Sequence, residues 1–146
     1  HQEARRQRQM CIRDRNKPWL RPVYDDPKFL IRMIWRRYGG WWDGEYDRLL
    51  PDSRENEAQE WVELSGGIDA IINKALDNLT NKKYKLAAHL IEVAYYADKR
   101  NEKLHEARKE IYAALSKEQD SSMARNIFNH ANLASNELKR DLASED

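Results

Sequence analysis

The sequence predicts an all-α protein of about six helices packed as antiparallel hairpins, a bundle with the rhythm of a tetratricopeptide repeat. Three observations predict it. Apolar residues recur at helical spacing from residue 27 onward, and no stretch alternates as a strand would. Acidic, serine and glycine residues fall where helices would begin and end. Only five Gly and four Pro occur in 146 residues, too few for a turn-rich β architecture. With 40% hydrophobic and 35% charged residues, the chain can build one core beneath a heavily charged surface.

The first helix starts at Asp25-Asp26-Pro27, an acidic cap followed by proline at the first helical position. Upstream, Pro18 and Pro22 keep the chain extended. Leu30, Ile31, Ile34, Trp35 and Tyr38 set an apolar face over 27–38, and Gly39 is expected to stop the helix in the left-handed conformation. Residues 39–51 form a loop in which Gly39, Gly40 and Gly44 permit tight turns, and the adjacent indoles of Trp41 and Trp42 call for a partner surface. Asp52 or Ser53 caps a second helix with Ala58, Trp61, Val62 and Leu64, ended by Gly66-Gly67.

The third helix, 68–79, carries Ile68, Ile71, Ile72, Ala75, Leu76 and Leu79 on one buried face. Asn78 to Asn81 make the turn. The fourth helix, 82–98, sets Tyr84, Ala87, Ala88, Ile91, Ala94 and Tyr95 on one side, where small residues admit a close neighbour. After the turn Lys99-Arg100-Asn101, a fifth helix over 102–117 has Leu104, Ala107, Ile111, Ala114 and Leu115. Asp120-Ser121 caps a sixth, 122–141, with Met123, Ile127, Ala131, Ala134 and Leu138. Short turns favour antiparallel neighbours. A stack this short leaves apolar faces open at its ends, so it needs a cap, another domain or a second copy.

The net charge of +1 hides an asymmetry. Residues 1–51 hold 12 Lys/Arg against 7 Asp/Glu, and residues 52–146 hold 14 against 18. Five arginines (Arg5, Arg6, Arg8, Arg13 and Arg15) lie in residues 1–17, which lack apolar periodicity. That segment is expected to be a solvated, disordered basic tail, not a nucleic-acid surface. Residues 143–146 form a second short tail. The string Met10 to Arg15 has the form of translated sequencing-adapter read-through, so no function is placed on residues 1–15. Cys11, the one cysteine, allows neither an internal disulfide nor a Cys-based zinc site. No apolar run approaches the about 20 residues of a membrane span. The compartment is left open.

Catalytic signatures are missing. None of His1, His89, His105 and His130 pairs with another at i+2 or i+4, and neither a His-x-His-x-Asp-His nor a His-Glu-x-x-His run exists. His89, beside its apolar stripe, is expected to be partly buried with a hydrogen bond; His105 and His130 are expected at the surface. Glu102, Glu106 and Glu110, interleaved with Lys103 and Lys109, make a solvated face. Ser65 lacks a Gly-x-Ser-x-Gly elbow, and Gly66-Gly67 lacks a Walker lysine. No catalytic or metal-binding residue is assigned.

Four stretches together resemble the alkyl sulfatase dimerisation domain. They are Leu20 to Phe29 leading to Ile34-Trp35-Arg36-Arg37-Tyr38, then Tyr38 to Gly44 ending in Leu49-Leu50-Pro51, then Val62 to Gly67, and last Ala124 to Phe128 followed by Glu137 to Arg140. Tyr-Gly-Gly-Trp-x-Asp-Gly is the most specific. The resemblance places the domain at 18–142 and implies a homodimerisation module. It implies a missing N-terminal metallo-β-lactamase-like domain that binds zinc and hydrolyses alkyl sulfate esters, and often a lipid-transfer-like C-terminal domain. This chain itself would carry no cofactor. The resemblance also implies a substrate-facing role for Tyr38, Gly39, Gly40, Trp41, Trp42, Asp43 and Gly44, with the indoles against an alkyl chain and the Tyr38 hydroxyl on a sulfate oxygen. Against it stands packing of both indoles within the core or between domains. Relatives often have tyrosine where Trp42 stands, so a hydroxyl contact there does not carry over. The alternative function is a helical-repeat adaptor that binds peptides.

Overall fold

The computed structural model describes residues 23–137. These residues form six α-helices and one 3-10 turn, with no strand among them. The helices are α1 (Pro27–Gly39), α2 (Arg54–Ser65), α3 (Ile68–Thr80), α4 (Tyr84–Ala97), α5 (Glu102–Lys117) and α6 (Ser122–Glu137); the 3-10 turn spans Tyr46–Arg48. The all-α class is as the sequence predicts. The expected tails at 1–17 and 143–146, and the expected end of the sixth helix at 138–141, lie outside the described residues.

Local chemistry sets the helix ends. The Asp26 carboxylate accepts the Lys28 N–H at 2.8 Å, with Pro27 in the first turn. Ser53 Oγ accepts from Asn56 N at 3.1 Å, and Asn101 Oδ1 accepts from Leu104 N at 3.1 Å. Several boundaries differ from expectation: the helix from Ile68 runs to Thr80, through part of the expected Asn78–Asn81 turn, the next ends at Ala97 and not at 98, and two more have a local cause. Gly39 is the last residue of α1, and Gly40 (φ 89°) makes the break. A Cβ on Gly39 would come within 3.1 Å of the Trp35 ring, so glycine there admits the indole. The fourth helix starts at Tyr84, not at 82, because Lys82 itself takes the left-handed turn (φ 58°).

From α3 to α6 each helix packs on the next, and α2 packs on α4. The core joins Ile71, Ile72 and Ala75 of α3 to Ala87, Ile91 and Ala94 of α4, and to Leu104, Ile111 and Leu115 of α5. Small residues on α4 let its backbone approach both neighbours, as their spacing predicts. Ile91, Leu104 and Ile111 are fully buried; each such side chain contributes about 1.5–3 kcal/mol of transfer free energy. By contrast α2 buries only Ala58. Polar ties hold it: Gln59 Nε2 donates to Ala97 O at 2.9 Å, Arg54 Nη1 to Tyr96 Oη at 2.8 Å, and Lys99 Nζ to Glu55 Oε1 at 3.0 Å.

The α5 helix is covered on two sides, and this overturns the expectation that His105 is at the surface. Its apolar stripe faces α3 and α4, while His105, Arg108 and Tyr112 on the adjoining face are buried as well. His105 is 9% exposed, with Nε2 2.9 Å from Lys99 O and its ring edge-on to Tyr95. It is therefore no surface residue. His89 is exposed, not partly buried. It stands two residues from the inward Ala87, about 200° round the helix.

Arg108 is 2% exposed and joins three helices. Its Nε donates to Glu92 Oε1 of α4 at 2.7 Å, and its Nη1 to Ala131 O at 3.2 Å and Ser135 Oγ at 2.9 Å of α6. The guanidinium lies 4.4 Å from the Tyr95 ring centre and 5.1 Å from that of Tyr112. A buried cation this fully bonded holds the helices in one arrangement.

Candidate association site

The α1 helix has no buried residue. Leu30, Ile31, Met33, Ile34, Trp35 and Tyr38 are all exposed. Water thus covers the stripe the sequence marks as a helix face, and a lone helix of this length is marginal in water. What is anchored is its root. Ser122 N donates to Val23 O at 2.9 Å and Met123 N to Tyr24 O at 3.1 Å; Ser121 Oγ donates to Tyr24 O at 2.6 Å. These bonds satisfy N–H groups that the start of α6 would otherwise leave without a helical partner. Ser121 Oγ also accepts from Ala124 N at 3.3 Å, as its expected capping role requires.

Beyond α1 the chain turns through a self-braced loop. Trp42 Nε1 donates to Glu45 O at 2.9 Å, and the Trp42 and Tyr46 rings lie 6.0 Å apart. Asp43 Oδ1 accepts from Glu45 N at 3.1 Å, while Asp43 Oδ2 and Arg48 Nη1 make an ion pair of 2.8 Å. The Glu45 N–H, and then the Arg48 guanidinium, hold the Asp43 carboxyl below its ordinary range. Gly40 (φ 89°) and Gly44 (φ 95°) supply the turns.

The seven residues singled out from sequence, Tyr38 to Gly44, thus form one continuous motif outside the bundle. Trp42 is the more covered indole at 39% exposure; Trp41 (71%) and Tyr38 (81%) point to water. Core packing of both indoles within this chain does not occur. Tyr46, Leu49 and Leu50, which sequence reasoning does not single out as a surface, extend the exposed apolar area, as do Trp61 and Leu64, which it assigns only to the apolar face of a helix. The signal for the first group was the quoted Leu49-Leu50-Pro51, read as a motif and not as a surface.

At the arm's root a cavity of about 560 Å³ opens between Lys28, Lys82, Lys83 and Lys85 and the acidic Asp26, Glu118 and Asp120. Its opposed charges nearly balance. Among the described residues no group of three or more His, Cys, Asp or Glu is placed to hold a metal ion, and no helix is long and apolar enough to cross a membrane. What the site offers is surface for association.

The comparisons agree with that geometry. The chain is 31% identical over 81 residues to a linear primary-alkylsulfatase from a Pseudomonas strain, covering 56% of this chain and 15% of the relative. It is 24% identical over 112 residues to an (R)-specific secondary-alkylsulfatase from Pseudomonas sp, covering 77% and 17%. Among solved structures, the stereoselective inverting sec-alkylsulfatase Pisa1 from Pseudomonas sp. shares the fold with a TM-score of 0.66 at 23% identity, over 72% of this chain and 17% of that one. The chain spans about a sixth of the length of the curated relatives it matches. The family described as alkyl sulfatase dimerisation matches residues 3–138, nearly the whole sequence, and the chain belongs to that family as an alkyl sulfatase dimerisation domain.

Proposed function

We propose that two copies of this chain pair through the exposed apolar face of α1, and that the pairing braces two alkyl sulfate ester hydrolases. One observation carries the proposal: α1 buries none of its residues within its own chain. At ~25 cal/mol per Å² of apolar area, covering that face in a partner supplies the stabilisation the helix lacks alone. An interface of about 1,200–2,000 Å² outweighs the cost of bringing two chains together. The paired helices also fit a peptide-binding adaptor, but membership of the dimerisation family favours self-association.

Hydrolysis belongs to other parts of the protein. We read it as the work of an N-terminal metallo-β-lactamase-like domain, where zinc would lower the pKa of a bound water and so supply hydroxide as the nucleophile. A lipid-transfer-like domain would follow this one. The described residues supply no ligand cluster for that metal. Their contribution is the Tyr38–Gly44 loop, stiffened by the Asp43–Arg48 pair and turned outward. In the full-length protein Trp41 packs on a neighbouring apolar surface at the catalytic mouth, and Tyr38 offers its hydroxyl to a sulfate oxygen.

Sedimentation of the full chain tests the pairing. A species of twice 17.4 kDa is expected. A single 17.4 kDa species at high micromolar concentration overturns it. For the loop, Trp41→Ala in the full-length protein is expected to raise KM for long alkyl sulfates while the dimer persists. An unchanged KM assigns Trp41 to packing alone.

A further inference from the structure

The exposed helix α1 is strongly basic. Lys28, Arg32, Arg36 and Arg37 lie on α1, which carries no carboxylate. The helix of strongest opposite charge is α2, with four glutamates against one arginine. On α2, Arg54 and Glu55 are turned to Tyr96 and Lys99 of the bundle. Glu57, Glu60 and Glu63 are exposed, and none has an ion-pair partner among the described residues. Beside these carboxylates stand two exposed apolar side chains, Trp61 and Leu64. The α2 surface is therefore a greasy strip with an acidic border, and α1 is a greasy strip with a basic border. Their lengths match, at 13 and 12 residues. That is about 18–20 Å each at 1.5 Å per residue.

Resting on the dimer reading above, we infer that α1 of one copy lies along the outer face of α2 in a second copy, and that the exchange is reciprocal. Leu30, Ile34 and Trp35 would cover Trp61 and Leu64, and the arm's arginines would meet the α2 glutamates. Two-fold symmetry makes each contact twice, which doubles the buried area. The charges at the rim fix the register and favour this mate over others. The same match explains why a helix with so much apolar surface is rimmed by lysine and arginine and no carboxylate.

The test uses the full chain and exploits the reciprocity. Reversing the acidic face with Glu57→Lys, Glu60→Lys and Glu63→Lys together is expected to weaken self-association at least about tenfold at low salt. Reversing the arm with Arg32→Glu, Arg36→Glu and Arg37→Glu is expected to do the same. All six side chains are exposed, so circular dichroism should keep its helical signal. An equimolar mixture of the two variants is expected to recover a dimer, because the acidic arm of one variant then meets the basic α2 of the other while the second contact keeps the wild-type pairing. A wild-type dimer indifferent to both reversals overturns this pairing and leaves the dimer reading intact. Weakening without recovery on mixing also overturns it, by placing the contact within one chain or on another surface. A monomeric wild type overturns the dimer reading itself. As a check needing no variant, the wild-type dissociation constant should rise with added salt; a salt-independent constant overturns the charge match.

Discussion

Residues 23–53 and residues 54–137 are built from the same kinds of side chain and end in opposite states. Both contain helices with well-formed caps and an apolar stripe. In the larger region, Ile91, Leu104 and Ile111 vanish from solvent beneath neighbouring helices. In the smaller one, Ile31, Ile34 and Trp35 stand in water along a helix that touches no core. The difference lies in the connections. Turns of a few residues fold α3 to α6 back on one another, whereas the loop after α1 is long and closes on itself through Trp42 and Asp43. An apolar stripe is therefore an unfilled requirement: the bundle meets it internally, and in the arm it is left to the proposed second copy.

That contrast has measurable consequences. Bundle substitutions should change stability without altering concentration dependence, and arm substitutions should do the reverse. The largest effect is expected from Leu104→Ala, which opens a cavity at a fully buried site and should cost about 3–5 kcal/mol in urea unfolding. Arg108→Ala should cost about 3 kcal/mol by the same assay, because Glu92 and the α6 acceptors lose their donor. Glu92 keeps some contact with water, so the lower end of the range for buried pairs applies. Adding Glu92→Gln should recover part of the loss, and full additivity would deny the coupling.

Smaller effects mark the arm and its hinge. Ile34→Asp puts a charge on the exposed stripe and should raise the dissociation constant at least about tenfold, with the urea midpoint at low concentration unchanged. A shifted midpoint would mean that the arm packs on its own bundle. Ser53→Ala removes the α2 cap and should cost about 1 kcal/mol. The smallest effect concerns acid. The hydrogen bond from Lys99 holds the Glu55 carboxyl below its ordinary range. A lowered folded-state pKa gives stability that is present above the unfolded value and is lost as pH falls through the folded one. Glu55→Gln should therefore flatten the acid limb of the stability curve slightly. Identical acid limbs would show that this pair ties α2 to α4 without net benefit.

Much of this was readable in advance, for a reason. Asp26-Pro27, Ser53, Gly66 and Ser121 act within a few residues of themselves, so the helix starts and stops they encode follow from local rules. The motif Tyr38 to Gly44 was equally clear as a string. Its surroundings were not, since nothing local says whether an indole faces a core or the solvent. Arg108 and His105 show the same limit from the other side. Each is polar beside an apolar stripe, which reads as a solvated flank until α6 is seen to bond Arg108, and Tyr95 with the Lys99 turn to pack on His105.

The sequence by itself determined the all-α class, the six helices of the described residues, most of their ends and the family. Capping, glycine turns and apolar periodicity are short-range, and the chain carries them wherever it goes. Only the tertiary structure decided which stripes are covered, that α5 is buried on two faces around Arg108, and that α1 is left without a mate. Burial depends on contacts between residues far apart in the chain, and no spacing rule along the chain contains them.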